Sequence, residues 1–319
     1  MKKVLLVDGA NLMYRCYWAI RGLKTRDGFN TSAFYGFIKS LNSILHDFKF
    51  SRVVIVFDGG GVTWRHILAE KYIKKGVITI SYKTKKYDDV YEELKRELFP
   101  QFFITEEFLK YSGIPLFKMK GVEGDDLIGN ICYLLKKKYK ITILSGDKDY
   151  YQLLDDNISL LVADNTARQR FNYRKYTKEN FVKEYDIEPR QWIDVGALMG
   201  DNSDCITGIR GIGPKRAIQL VKQHGGIKGL LNNPKSLAGS TDLVKKVMDG
   251  ILVVKLAYIL KRIKKHGFVD KEIFNEKINE CETFSFTNIN KILGIYEIQD
   301  FNIGMFHYNL NRRGRDVKA

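Results

Sequence analysis

Residues 121–129 read GVEGDDLIG and place three carboxylates, Glu123, Asp125 and Asp126, within four residues at the start of an apolar helix. No basic residue separates them, so they repel one another unless a cation or bulk water screens them. Further acids occur in comparable settings. Asp8 ends the apolar run KVLLVD, Asp58 ends RVVIVFD, and Asp147 follows ITILSG. The stretches SGDKD and MGDNSD add Asp149, Asp201 and Asp204. One aspartate after a strand is an ordinary helix cap. Three of them, with a separate carboxylate cluster, exceed what capping explains. Asp147 and Asp149 stand at i, i+2 and would face one side of an extended segment. Asp201 and Asp204 stand at i, i+3, one face of a helical turn. Glu123 and Asp126 share that spacing at a helix start, where the dipole tolerates anions.

Clustered carboxylates without His or Cys suit the hard ions Mg²⁺ or Mn²⁺ rather than zinc. Mg²⁺ takes a few carboxylates, waters and substrate phosphate oxygens. That suits phosphodiester hydrolysis, in which one ion activates a water and a second stabilises the leaving oxygen. A glycosidase needs only two carboxylates, and a calcium loop would show D-x-D-x-D-G. Neither pattern fits. Residues 208–216, GIRGIGPKR, form a second candidate element. Gly208, Gly211 and Gly213 allow backbone amides to approach a phosphate. Pro214 opens the helix that follows, and its N-terminus favours an anion. Lys215 and Arg216 add cations. Such an element grips the nucleic-acid backbone without reading sequence.

The elements that must position these residues alternate. The buried strand patterns KVLLVD, RVVIVFD, ITILSGD and ISLLVA are separated by helical patterns at 31–48 and 125–138. This predicts an α/β fold with a mostly parallel central sheet flanked by helices. In such sheets ligands bind beyond the carboxyl ends of the strands, so Asp8, Asp58 and Asp147 should converge. From about Gln191 the pattern becomes helical, in QWIDVGALMG, GIGPKRAIQLVKQHGG and LVKKVMDGILVVKLAYILKRIKKHG. A domain boundary is expected near 185–190. No linker marks it, so the two parts should pack closely. The polar end NLNRRGRDVKA reads as a loose tail.

Composition narrows the partners. The 319 residues carry 53 Lys and Arg against 37 Asp and Glu, a net charge of +16, which favours a polyanion such as nucleic acid over a solvated basic surface alone. No apolar run reaches membrane-spanning length. The N-terminal VLLV ends in Asp8, which suits a strand and not a signal peptide. Cys16, Cys132, Cys205 and Cys281 are scattered with no CxxC pair, so neither zinc nor a disulfide framework is expected, and a reducing cytoplasm is.

The motifs LLVDGANLMYR, VIVFDGGGVTWR, GVEGDDLIG, LSGDKDYYQLL and ALMGDNSDCITGIRGIGPKRA together resemble the 5′-nuclease, or flap endonuclease, family. Its members include bacteriophage 5′-3′ exonucleases and the N-terminal 5′-nuclease domain of bacterial DNA polymerase I. The resemblance covers roughly residues 4–224, in family order, and is thin beyond about 265. It implies a PIN-like α/β nuclease domain over 1–187 with a helical arch at about 64–100. A helical DNA-binding domain over 188–290 would carry a helix-three-turn-helix at about 204–224, and 291–319 would be a C-terminal extension. It also implies metal-dependent cleavage of DNA, and of RNA in primers, at 5′ flaps, nicks and free 5′ ends. One ion would be held by Asp8, Asp58, Glu123, Asp125 and Asp147, with Asp126 close by. A second would be held by Asp149, Asp201 and Asp204, with Asp147 shared. K⁺ would sit on backbone carbonyls at Gly208, Gly211 and Gly213.

A monomer in the cytoplasm of a bacterial cell or phage-infected host is implied, with no membrane partner. No polymerase segment follows in the chain, so a stand-alone nuclease is expected. Cys205 departs from the family, which often carries Asn there. Residues 64–86 hold seven Lys and Arg against Glu70 and correspond to the arch. Arg65 is expected to meet nucleic acid. Tyr82, Lys83 and Lys86 match the motif that meets the scissile phosphate. A register using Tyr72, Lys74 and Lys75 stays open, as does a merely solvated basic helix, and VITI at 77–80 looks strand-like. The competing functions are a PIN-type metallo-ribonuclease and an inactive binder of DNA junctions.

Overall fold

The computed structural model describes residues 1–84, 89–164, 171–232, 241–281 and 283–311, with backbone alone at 241–244. The first part runs β1 (Lys2–Asp8), α1 (Gly9–Ala19), α2 (Ser32–Asp47), β2 (Arg52–Val56), α3 (Trp64–Lys74), α4 (Asp89–Glu97), α5 (Phe99–Tyr111), β3 (Leu116–Phe117) and α6 (Gly124–Leu135). It continues with β4 (Tyr139–Leu144), a 3-10 turn at Lys148–Leu153, β5 (Ile158–Ala163), β6 (Tyr173–Tyr176) and α7 (Lys178–Tyr185). The helical part follows as α8 (Trp192–Met199), α9 (Pro214–His224), α10 (Ile227–Asn232), α11 (Thr241–Asp249), α12 (Ile251–Lys261), α13 (Lys271–Asn279), α14 (Phe286–Ile295) and α15 (Ile303–Asn311). No helix among the described residues is long and apolar enough to cross a membrane.

The sheet order is β3-β2-β1-β4-β5-β6. Every pairing is parallel except that of β5 with β6. The four strands read from apolar runs are β1, β2, β4 and β5. They read as continuous runs because both sheet faces are covered. The period of two then divides each run between two cores. Val4, Leu6, Val54, Val56, Ile141 and Ile143 face one core, which continues into the helical part through Trp192, Val195, Leu198 and Leu260. Leu5, Val7, Val53, Ile55 and Leu161 face the other, built with α1, α2 and α5. The close packing expected of the two parts follows from the first core, which they share.

Several local expectations are corrected. The two-residue β3 and the half-exposed edge strand β6 have no apolar run to reveal them. VITI forms no strand; Val77 N–H donates to the Tyr72 carbonyl at 3.0 Å. The long helical pattern at 243–267 breaks at Gly250 and stops after Lys261. Beyond it, Ile263 N–H donates to Gln152 and Lys264 N–H to Asp126, so these amides leave the helical ladder. The described residues up to Asn311 stay packed on the body. Ile289, Leu293, Phe301 and Phe306 join the second core, with Phe108 of α5 against Phe301 and Phe306. Asn309 and Leu310 of the supposed tail are buried, while 312–319 lie outside the described residues.

Candidate active site

Because β1 lies between β2 and β4, Asp8, Asp58 and Asp147 emerge side by side at the carboxyl edge of the sheet. Asp8 caps α1 through the Asn11 N–H at 3.0 Å, and its other oxygen accepts from Ser145 Oγ at 3.0 Å and Tyr150 OH at 3.1 Å. Desolvation, with the charges of Asp58 and Asp147 nearby, pushes its carboxyl up to about 7. Asp58 accepts the Gly124 N–H at 2.6 Å and so fixes the entry to α6. Asp147 and Asp149 do not lie on an extended segment. Asp147 caps the 3-10 turn and accepts the Asp149 N–H at 2.8 Å.

At the start of α6 the three acids of the opening motif divide by partner. Glu123 accepts from Thr63 Oγ1 at 2.9 Å, Tyr82 OH at 2.9 Å and Lys83 Nζ at 2.7 Å, and lies 3.1 Å from the Arg65 guanidinium. Against the desolvation of its site, Arg65 and Lys83 hold its carboxyl down to about 2. Asp125 pairs with Arg65 at 3.0 Å. Desolvation nonetheless keeps its carboxyl above the usual range, with Arg65 opposing and the charges of Asp126 and Glu123 adding to the rise. Asp126 is wholly buried and fully engaged, by Trp64 Nε1 at 2.6 Å, both terminal nitrogens of Arg65 at 3.0 and 3.1 Å, and Lys264 N–H at 2.7 Å. Asp126, expected close to the first metal, here anchors Arg65.

Arg65 itself is 1% exposed, so the expected contact with nucleic acid is corrected too. Besides the three acids it donates to the carbonyls of Leu260 at 2.8 Å and Arg262 at 3.2 Å. Tyr82 is likewise buried, edge-on to His66, with its hydroxyl on Glu123, and offers no face on which a base could stack. Lys83 is different. Its side chain is 44% exposed, and its ammonium reaches Glu123 at 2.7 Å and Asp204 at 3.8 Å. Its backbone N–H donates to the Asp204 carbonyl at 2.9 Å. Lys74 and Lys75 are exposed, with the Lys75 ammonium over the Tyr72 ring at 5.6 Å. The Tyr82–Lys83 register is thus the one that faces the acids. Lys86 lies outside the described residues.

The second acid group forms where the helical part meets the cleft. One oxygen each from Asp149, Asp201 and Asp204 lie within 4.8 Å of one another. Asp201 and Asp204 are not on a helical turn. Asp201 pairs with Ile206 in a short antiparallel bridge, and its Oδ1 accepts from Ser203 N–H, Ser203 Oγ and Asp204 N–H. Cys205 closes this turn at φ +56°, in the left-handed region that Asn tolerates better. Sequence reasoning missed Lys261, whose ammonium lies 2.6 Å from Asp149 and 2.7 Å from Asp201. One signal existed: Lys261 stands on the same helical stripe as the buried Val254 and Ala257. Desolvation and Asp147 push Asp149 up to about 7 against Lys261. Desolvation raises Asp204, while the Lys261 and Ser203 hydrogen bonds lower Asp201 against its burial.

The glycine element follows directly. Gly208 lies against Gly200, and a Cβ on Gly208 would meet the Gly200 nitrogen at 2.3 Å. Gly211 turns the chain at φ +87°. Gly213 caps α9 with open space around it, and Lys215 and Arg216 are exposed in the first turn.

Acids gathered at the carboxyl edge of a mostly parallel sheet, with a glycine turn and a basic helix start following Asp204 in the chain, fit a nuclease-class α/β protein. The 5′-3′ exonuclease N-terminal resolvase-like domain family matches residues 3–186, and the 5′-3′ exonuclease C-terminal SAM fold family matches 187–283. The chain is 32% identical over 234 residues to a 5′-3′ exonuclease of Aquifex aeolicus, covering 73% of each chain. It is 30% identical to a 5′-3′ exonuclease of Bacillus subtilis, over 88% of this chain and 98% of that one. It also matches DNA polymerase I of Bacillus caldotenax at 31% identity, spanning 75% of this chain and 25% of the polymerase. The fold matches the D15 protein of T5, crystallised with metal ions, at TM-score 0.65 and 18% identity over 96% of this chain and all of that one. Flap endonuclease-1 from Methanococcus jannaschii superposes at TM-score 0.55 and 18% identity, over 98% and 93% of the two chains. This protein belongs to the 5′-3′ exonuclease family.

If Arg65 is the internal counter-ion described, Arg65→Ala leaves partly buried acids unpaired and lowers stability by about 3–5 kcal/mol in urea unfolding. A DNA-contacting role would instead leave the unfolding midpoint unchanged and weaken binding alone.

Proposed function

We propose that this protein is a structure-specific, two-ion 5′ nuclease that cleaves DNA at 5′ flaps, nicks and free 5′ ends, and RNA in primers, with Mg²⁺ or Mn²⁺. The observation that carries this reading is the convergence of two carboxylate groups, on separate parts of the chain, at one sheet edge beside an exposed basic helix start. The donors are carboxylate oxygens, which fit hard divalent ions. Asp8, Asp58, Glu123, Asp125 and Asp147 would hold the first ion, and Asp149, Asp201 and Asp204 the second, with Asp147 shared. Bound ions supply an activated water and neutralise charge on the leaving oxygen.

The chain's own residues do the positioning. Lys83 stands between the two acid groups, on Glu123 and on Asp204, where a half-exposed ammonium can meet an incoming phosphate. The open backbone at Gly211 and Gly213 and the start of α9 grip the duplex backbone, and carbonyls of this turn hold K⁺. Lys215 and Arg216 add phosphate contacts. Working as a monomer in a cytoplasm is part of the same reading.

Product mapping on a 5′-labelled flap tests the whole. Cleavage near the junction, abolished by EDTA and restored by Mg²⁺, is expected. Cleavage of linear RNA in preference to the flap, or no cleavage at all, would overturn the reading. Asp147→Asn keeps the cap, since Asn caps as well as Asp. It should abolish cleavage while sparing DNA binding, as read in a gel-shift assay.

Lys83→Ala removes a cation that acts as charge develops, so the loss should fall on the chemical step with affinity nearly kept. Single-turnover rates should fall on the order of 10²-fold or more, whereas Lys74→Ala and Lys75→Ala should cleave like the parent.

Replacing both Lys215 and Arg216 with Ala should weaken duplex binding irrespective of sequence. Each lost phosphate contact should flatten the log–log salt dependence by about 0.9, and an unchanged slope would show that these side chains point elsewhere.

A further inference from the structure

We propose that Lys261 is a resident cation of the second acid group, which keeps a second divalent ion weakly bound until a DNA phosphate enters the cleft. This deepens the two-ion reading and rests on it.

Lys261 closes α12 with its side chain 5% exposed and its ammonium on the Oδ2 atoms of Asp149 and Asp201. Those two residues, with Asp204, are the group whose oxygens cluster. On Asp201 the Oδ1 atom already accepts three hydrogen bonds from Ser203 and Asp204. Oδ2 is then the oxygen left for an ion, and Lys261 is on it. The two cations must share that oxygen.

The lysine is held where it is. Its stem runs past Gly196 of α8, where an added Cβ would lie 3.3 Å from the Lys261 Cε. Its own carbonyl accepts from Gln152 Nε2 at 3.0 Å. The carboxyl end of α12 favours a cation at this point. Lys83 contrasts with it in every respect: half-exposed, at φ +45°, on a turn and not a helix. Lys83 can move toward a substrate, whereas Lys261 stays.

A fixed positive charge a few ångströms from a bound divalent ion repels it strongly in a partly desolvated cleft. A phosphate entering the cleft adds negative charge and offsets that repulsion. DNA and the second ion then tighten each other's binding, as linkage requires. The complete two-ion arrangement therefore assembles on substrate, and the DNA-free protein carries a single tightly held ion.

Mn²⁺ binding to the full chain, followed by electron paramagnetic resonance and calorimetry, tests this in the parent, Lys261→Met and Lys261→Gln. Lys261→Gln keeps a hydrogen-bond donor toward both acids and guards against a folding defect, which a thermal melt would reveal. Without DNA, the parent should bind one Mn²⁺ tightly and a second about tenfold or more weaker, and each variant should tighten the second by about tenfold. A product-like nicked duplex should tighten the second ion about tenfold in the parent, to the affinity that the variants reach without DNA. Damage to the fold would weaken ion binding, so a gain marks competition. Unchanged or weaker binding of the second ion in the folded variant overturns the role of Lys261 while leaving the two-ion reading in place. Failure of the parent to bind a second Mn²⁺ even with DNA overturns the two-ion reading and the role of Lys261 with it.

Discussion

The acid cleft depends on one buried guanidinium. Arg65 enters from α3 and joins Glu123, the N-cap of α6, and Asp125 and Asp126 of its first turn to the carbonyls that end α12. Its planar fork suits several oxygens at once, which a lysine's point charge does not. Without it the start of α6 would concentrate three partly desolvated anions. With it, α3, α6 and the helical part share a single anchor. Asp126 is the acid given up to hold that anchor, so the DD pair of the opening motif divides into one cleft-facing and one structural carboxylate.

Around this anchor, fixed and adjustable cations play different parts. Arg65 and Lys261 are buried, Arg65 against the carbonyls of Leu260 and Arg262 and Lys261 alongside Gly196, so each supplies positive charge to one acid group. Lys83 is half-exposed and touches both groups. Asp8 and Asp149 are each pushed up to about 7, by desolvation first and then by neighbouring acids. A site left short of positive charge suits divalent ions, and the net charge of +16 over the whole chain draws a polyanion toward it.

The sheet ties these parts to two cores of different reach. One sheet face continues into the helical part, so the second acid group is carried on the same packed body as the first. The other face is closed by α1, α2 and α5 together with α14 and α15 from the far end of the chain. The C-terminal helices thus stabilise the α/β body although they take no part in the cleft.

The sequence by itself determined the four apolar strands, the helices at 31–48 and 125–138, the inventory of acids and the glycine turn ahead of α9. Each of these is written in local period, spacing or residue type. Only the tertiary structure decided what those residues meet. Arg65 reads as one more basic residue of an arch, yet its partners lie 60 and 195 positions away, on Asp125 and Leu260. Tyr82 fits an expected motif and is buried on Glu123. Lys261 sits unremarked in an apolar helix, and its ammonium meets Asp149 and Asp201. The turn at 201–205 keeps the i, i+3 spacing of a helix but takes its shape from the bridge of Asp201 with Ile206. Charge pairing of this kind depends on distance through space, which local sequence pattern does not encode.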